Sequence, residues 1–170
     1  MSLDRLWADW RSAYVSGISS RPSSSEPVAC VFCELAALGT GPASGVVFAD
    51  DVSFCTLNAY PYGSGHLLVL PRRHESSLSA LGEEEAAGVW RTARAAVRAL
   101  EAAYSPDGMN LGANLGEAAG AGIPAHLHLH VLPRWSGDTN FMTSIGETRV
   151  LPESLETTYA KVKEAWPSLP

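Results

Sequence analysis

Residues 126–132 read His-Leu-His-Leu-His-Val-Leu, and no other stretch of this chain constrains its fold so tightly. Side chains of a strand alternate between its two faces. Extended, the run sends Leu127, Leu129 and Val131 into a core and sets His126, His128 and His130 on the opposite face. Neighbours on one face of a strand are about 7 Å apart. Histidine is not a strand-favoured residue, so a half-buried strand alone is a poor account of three of the chain's five histidines in one row. An imidazole is neutral, nucleophilic and poised near physiological pH. One ring can attack phosphorus while another donates to a phosphoryl oxygen. A zinc or copper site is the second reading of alternating histidines. No Asp or Glu on this strand completes a hydrolytic metal cluster.

The chain has 170 residues, 46% apolar and 18% charged, which suits one soluble domain with a real core. The net charge of −6 argues against a sequence-independent nucleic-acid binder. Single nucleotides stay open, because backbone N–H groups and a few histidines can hold phosphate. No apolar run approaches the roughly 20 residues of a membrane span, so no membrane association is expected. The opening Met1-Ser2-Leu3-Asp4-Arg5-Leu6 lacks the apolar region of a signal peptide. A cytoplasmic location is therefore the expectation. Three cysteines, an odd number, argue against a disulfide framework.

Leu3, Leu6, Trp7, Trp10 and Tyr14 predict an amphipathic helix over residues 3–15, followed by a Ser/Gly/Pro loop over 16–27. Residues 45–48 and 52–57 read as strands around a turn at Asp50-Asp51. Residues 66–70 read as a buried strand stopped by Pro71. Ala86, Trp90, Ala93, Val97, Leu100 and Tyr104 recur at helical spacing, and Glu83, Glu84 and Glu85 suit a helix N-terminus, so a long helix spans 83–104. Short strands follow at 109–114 and 126–132, the latter stopped by Pro133, and a helix at 153–166. Strands gathered around one long helix predict an α+β fold with a mostly antiparallel sheet. Trp90 is expected in the core, Arg72 and Arg73 in solvent, and Cys55 buried and inert. The Ala-rich long helix is expected to pack closely on another surface. Trp135 is balanced between packing and a place beside substrate or a dimer contact.

Two further features bear on chemistry. The loop from Asn114 to Pro124 is rich in glycine and alanine, which lets backbone N–H groups approach a phosphate. Cys30-Val31-Phe32-Cys33 has the spacing of half a zinc site. Two half-buried apolar cysteines are the plain alternative. A thioredoxin-like redox pair is disfavoured, because no βαβ pattern surrounds it.

The run His126-Leu127-His128-Leu129-His130-Val131-Leu132 matches in full the signature of the histidine triad superfamily, which this chain resembles. Leu57-Asn58-Ala59-Tyr60-Pro61 and Gly65-His66-Leu67-Leu68-Val69-Leu70-Pro71 extend the resemblance. It covers residues 28–142, leaving an N-terminal extension at 1–27 and a C-terminal helical segment at 143–170. Leu6-Trp7-Ala8-Asp9-Trp10-Arg11, Pro133-Arg134-Trp135 and Gly137-Asp138-Thr139-Asn140-Phe141 are similar to bacterial members of the diadenosine tetraphosphate phosphorylase and hydrolase type.

That resemblance implies a histidine-triad-like fold and a nucleotide hydrolase or nucleotidyltransferase. It implies that His128 is the nucleophile, forming a nucleotidyl-histidine intermediate that water or phosphate releases. The carbonyl of His126 would fix the tautomer of His128. His130 would bond a phosphoryl oxygen, with His66 nearby, Asn58 on the ribose and Asn114 by the phosphates. Gly122 stands where the family often has Ser or Gln facing the leaving group, so its backbone N–H is the group left to serve there. Cys30, Cys33, His74 and His126 would form a closed structural zinc site, with no organic cofactor. A homodimer is implied. The expected activity is cleavage of a dinucleoside polyphosphate. Its rivals are a nucleoside phosphoramidase, a nucleotide-binding regulatory module and a zinc-scaffolded interaction protein.

Overall fold

A computed structural model describes residues 30–139 and 152–168. The helix expected at 3–15 and the loop at 16–27 lie outside the described residues. The elements are α1 (Val31–Leu38), β1 (Val46–Ala49), β2 (Ser53–Leu57), β3 (Leu67–Pro71), α2 (Glu83–Tyr104), β4 (Gly108–Gly112), β5 (Leu129–Arg134) and α3 (Leu155–Glu164). The five strands form one sheet in the order β1-β2-β3-β5-β4, and every neighbouring pair is antiparallel. The fold is α+β, as the pattern predicted. Among the described residues no helix is long and apolar enough to cross a membrane.

Helix α2 begins where the three glutamates predicted, with the Gly82 N–H donating to the Glu85 carboxylate at 2.9 Å. Its Ala93, Ala96 and Ala99 are fully buried against the sheet. Small side chains let the helix axis come close to Val47, Cys55, Leu67, Val69 and Val131, and Val162 of α3 closes the same core. A second cluster on the opposite face joins Phe32 and Ala36 of α1 to Val46, Phe54, Leu68 and Leu70. The sheet is thus covered on both faces, and the histidine row lies on the α1 side.

Four expectations change. Trp90 is 54% exposed, so it is not a core residue. Helix α1 was not read from the sequence, although Val31, Phe32, Leu35 and Ala36 carry a short helical stripe. Strands β3 and β5 run through Pro71 and Pro133 instead of stopping before them. A proline lacks only its own N–H, and β3 pairs with β5 no further along β5 than Val131, so Pro133 loses no bond on that side. Finally, β5 starts at Leu129, not His126. Upstream of it the Leu127 N–H donates to the Glu75 carbonyl at 2.6 Å, and the His126 ring donates to the Pro71 carbonyl at 3.0 Å. His126 and Leu127 are held by those bonds and not by a strand ladder.

Candidate active site and metal centre

Hydrogen bonds around the triad decide where each imidazole carries its proton. His128 is 7% exposed, and its Nδ1 lies 2.9 Å from the His126 carbonyl. A carbonyl only accepts, so Nδ1–H donates and Nε2 keeps its lone pair. A second chain begins at the Tyr62 N–H, which donates to Nδ1 of His66 at 3.0 Å. The side-chain amide of Asn58 lies 3.3 Å from the same nitrogen, while its Oδ1 accepts from the Tyr60 N–H at 2.9 Å. With Nδ1 of His66 an acceptor, its proton sits on Nε2 and is donated to Nδ1 of His130 at 2.9 Å. The proton of His130 is thereby left on Nε2, a buried atom with no hydrogen-bond partner among the described residues.

The two outputs stand side by side. The rings of His128 and His130 are 5.1 Å apart at 67°, and the Tyr62 ring stacks on His130 at 5.7 Å. One offers a bare nitrogen lone pair, the other an N–H donor that nothing among the described residues satisfies. A buried unsatisfied donor is uncommon and costs about 1–3 kcal/mol. A hydrogen-bond acceptor brought against it would relieve that cost.

Burial, and then the neighbouring His128, push the His130 imidazole down to about 4. The unfolded chain protonates near 6.5, so between those values it binds more protons than the folded chain. Stability present above pH 6.5 is therefore lost as pH falls towards 4. In His130→Asn the slope of unfolding free energy against pH should flatten in that window, as read from urea melts. An unchanged slope would rule out a neutral, half-buried His130.

Asn114 donates to the Gly120 carbonyl at 3.4 Å, bracing the small-residue loop. Gly122 lies exposed in that loop, where it has only backbone to offer. Arg73 is not a free phosphate attractor: it pairs with Glu75 at 2.9 Å and Glu85 at 2.8 Å. Trp135 packs edge-on against Tyr104 at 6.1 Å.

The expected metal residues converge. Ligand atoms of Cys30, Cys33, His74 and His126 all lie within 4.8 Å of one another. Nδ1 of His126 is 3.5 Å from the Cys30 sulfur and 3.7 Å from that of Cys33, and Nδ1 of His74 is 3.4 Å from Cys33. Zinc–sulfur and zinc–nitrogen bonds of about 2.3 and 2.0–2.1 Å at a tetrahedral angle put sulfur and nitrogen about 3.6 Å apart. The four donors fit a closed site of that kind. The Pro71 carbonyl takes the other ring proton of His126, the usual outer-shell arrangement for a ligating imidazole.

A profile of the HIT domain matches residues 42–137 of this chain. The chain belongs to the histidine triad (HIT) family. An AP-4-A phosphorylase from Mycobacterium tuberculosis is 37% identical over 99% of this chain and 87% of its own length. A bifunctional bis(5'-adenosyl)-triphosphatase/adenylylsulfatase from Arabidopsis thaliana is 33% identical over 55% of this chain and 51% of its own. A zinc-bound histidine triad family protein from Mycobacterium smegmatis superposes with a TM-score of 0.65 at 28% identity, covering 81% of this chain and 92% of that one.

This HIT chain brings His66, His128 and His130 together and gives His126 a different duty. The ring of His126 faces the ligand atoms of Cys30, Cys33 and His74, and its carbonyl reaches His128. Two residues escaped the sequence reading. Tyr62 orients His66 through its backbone and lies against His130 with its ring. Phe32, between the two cysteines, touches both His126 and His128.

Proposed function

We propose that this chain cleaves a phosphoanhydride of a dinucleoside polyphosphate of the diadenosine tetraphosphate type. The observation that carries the reading is the paired output of the two proton chains, a lone pair on His128 beside an N–H on His130. In the first step His128 Nε2 bonds the α-phosphorus, the P–O bond to the rest of the chain breaks, and the leaving nucleotide keeps that oxygen. In the second, an oxygen of phosphate or water bonds the same phosphorus and the N–P bond breaks. His130 holds a non-bridging oxygen throughout, where charge accumulates. Asn58 contacts the ribose, and Asn114 and the Gly122 N–H lie by the phosphates. The 37% identity to an AP-4-A phosphorylase supports this substrate class over a phosphoramidate.

Two thiolates and two imidazoles are a donor set for zinc. Cys30, Cys33, His74 and His126 would hold it, and bound zinc ties α1 to the segment before β5. It supplies structure, not a reacting group. A second copy of the chain would cover the open face where Trp90 (54% exposed) and Leu111 (42% exposed) line a groove of about 260 Å³ beside edge strand β4. Light scattering that returns a monomer mass would remove the dimer.

Turnover of a substrate panel with and without phosphate tests the function. ADP released from diadenosine tetraphosphate only when phosphate is present identifies a phosphorylase. AMP and ATP formed in its absence identify a hydrolase. Turnover confined to adenosine phosphoramidate would overturn the proposal.

A further inference from the structure

Helix α1 places two contacts against the triad, and together they reach the nucleophile. Cys30 and Cys33 lie beside the Nδ1 atom of His126 at 3.5 and 3.7 Å. Phe32, 5% exposed, sets its ring 5.7 Å from His126 at 83° and 5.3 Å from His128 at 48°. His126 and Leu127 precede β5, so no ladder bond fixes them. Yet, among the described residues, the His126 carbonyl alone holds the Nδ1 proton of His128. The N–H of the same peptide, on Leu127, donates to the Glu75 carbonyl at 2.6 Å, so a shift of the His126 ring that tilts the peptide about that bond would turn the carbonyl, and with it the lone pair of Nε2.

We propose that the Cys30-Phe32-Cys33 turn is a positioning clamp for His128, with Phe32 as the positioning residue and the Cys–His cluster as its lock. The cluster and the Pro71 carbonyl hold the two nitrogens of the His126 ring, and together with the Leu127 N–H on Glu75 they set the direction of its carbonyl. Phe32 fills the space into which the His128 ring would otherwise swing. Phe32 has no polar atom to offer the reaction, and the cluster's donor atoms face His126. The clamp rests on the reading of His128 as nucleophile, and its distinguishing consequence is an effect on ring state and chemistry with substrate binding left alone. A packed aromatic wall is suited to this, because reacting atoms misplaced by about 1 Å can lose 10²-fold in rate.

The experiment uses full-length zinc-loaded protein with ¹⁵N-labelled histidine. Long-range ¹H–¹⁵N spectra report which nitrogen of His128 carries the proton, and rapid quench with mass spectrometry reports the rate of adduct formation on His128. In the unaltered protein a single Nδ1–H form is expected. Phe32→Ala should mix the two tautomers of His128 and slow adduct formation at least tenfold, with KM moving less than twofold. Phe32→Leu, which keeps most of the apolar volume and so the fold, should recover part of the rate. Removal of zinc by a chelator should mix the tautomers in the absence of any substrate. If Phe32→Ala, Phe32→Leu and the stripped protein all keep a single Nδ1–H signal and the native adduct rate, the clamp is wrong. No adduct on His128 in the unaltered protein would instead sink the nucleophile reading.

Discussion

His128→Asn should abolish turnover of diadenosine tetraphosphate, with a loss of about 10³-fold or more, and leave no covalent nucleotide on the protein. Asparagine keeps a polar group near the His126 carbonyl but offers no nucleophilic nitrogen to phosphorus. The variant keeps His130, His66 and the small-residue loop, so nucleotide affinity should change by only a few-fold. His130→Asn should behave differently. It removes a donor to the phosphoryl oxygen, a loss of about 10²–10³-fold in kcat, while an adduct on His128 still accumulates slowly. The pair separates nucleophile from stabiliser in a way neither variant does alone. A His128→Asn protein that retains a tenth of the native rate would end the covalent mechanism. One that binds nucleotide normally and alters no measurable rate would favour a regulatory module.

The proton assignment behind that prediction was only half legible in the sequence. The row of three histidines announced an imidazole face, and the CxxC pair announced half a metal site. Neither says which nitrogen carries a proton. That depends on the backbone of Tyr62, which reaches His66 at 3.0 Å because the loop from Asn58 to His66 folds back on itself. Local alternation predicts faces, whereas a tautomer is settled by contacts between segments distant along the chain, such as His66 and His130. The same limit explains the strand boundary. Alternation runs unbroken from His126 to Val131, but β3 has no ladder bonds for the first residues of that run, because Pro71 ends it and the chain turns towards His74. Trp90 failed for a related reason. Its position in a helical stripe predicts a face of α2, but an Ala-rich helix packs on the sheet through its small residues and leaves the tryptophan in solvent. The long helix itself, with acidic first turn and apolar periodicity in agreement, was fully readable.

Gly65 joins fold to site, and Gly65→Ala should be the most damaging single-methyl change in the loop. The residue has φ +75°, a left-handed conformation that costs an L-residue about 1–2 kcal/mol. A Cβ there would meet Pro133 at 2.9 Å, Leu100 at 3.0 Å and Tyr104 at 3.2 Å. These belong to β5, α2 and the end of α2, and Leu100 is fully buried, so none can retreat without moving the core. Overpacking of this kind adds about 1–3 kcal/mol. The sum, about 2–5 kcal/mol, should lower the melting temperature by roughly 2–4 °C for each kcal/mol. Strain relieved by a backbone shift would move His66, the next residue, and with it the Nε2–H that orients His130. Loss of activity should therefore exceed what the unfolded fraction explains at 25 °C. Gly41→Ala is the contrast: its Cβ would meet only Ser44 Oγ at 3.8 Å, an ordinary contact, and stability should hold within about 0.5 kcal/mol. Equal melting temperatures for the two variants would show that the approach of the loop to Pro133 and Leu100 is not as close as the packing of β5 on α2 requires.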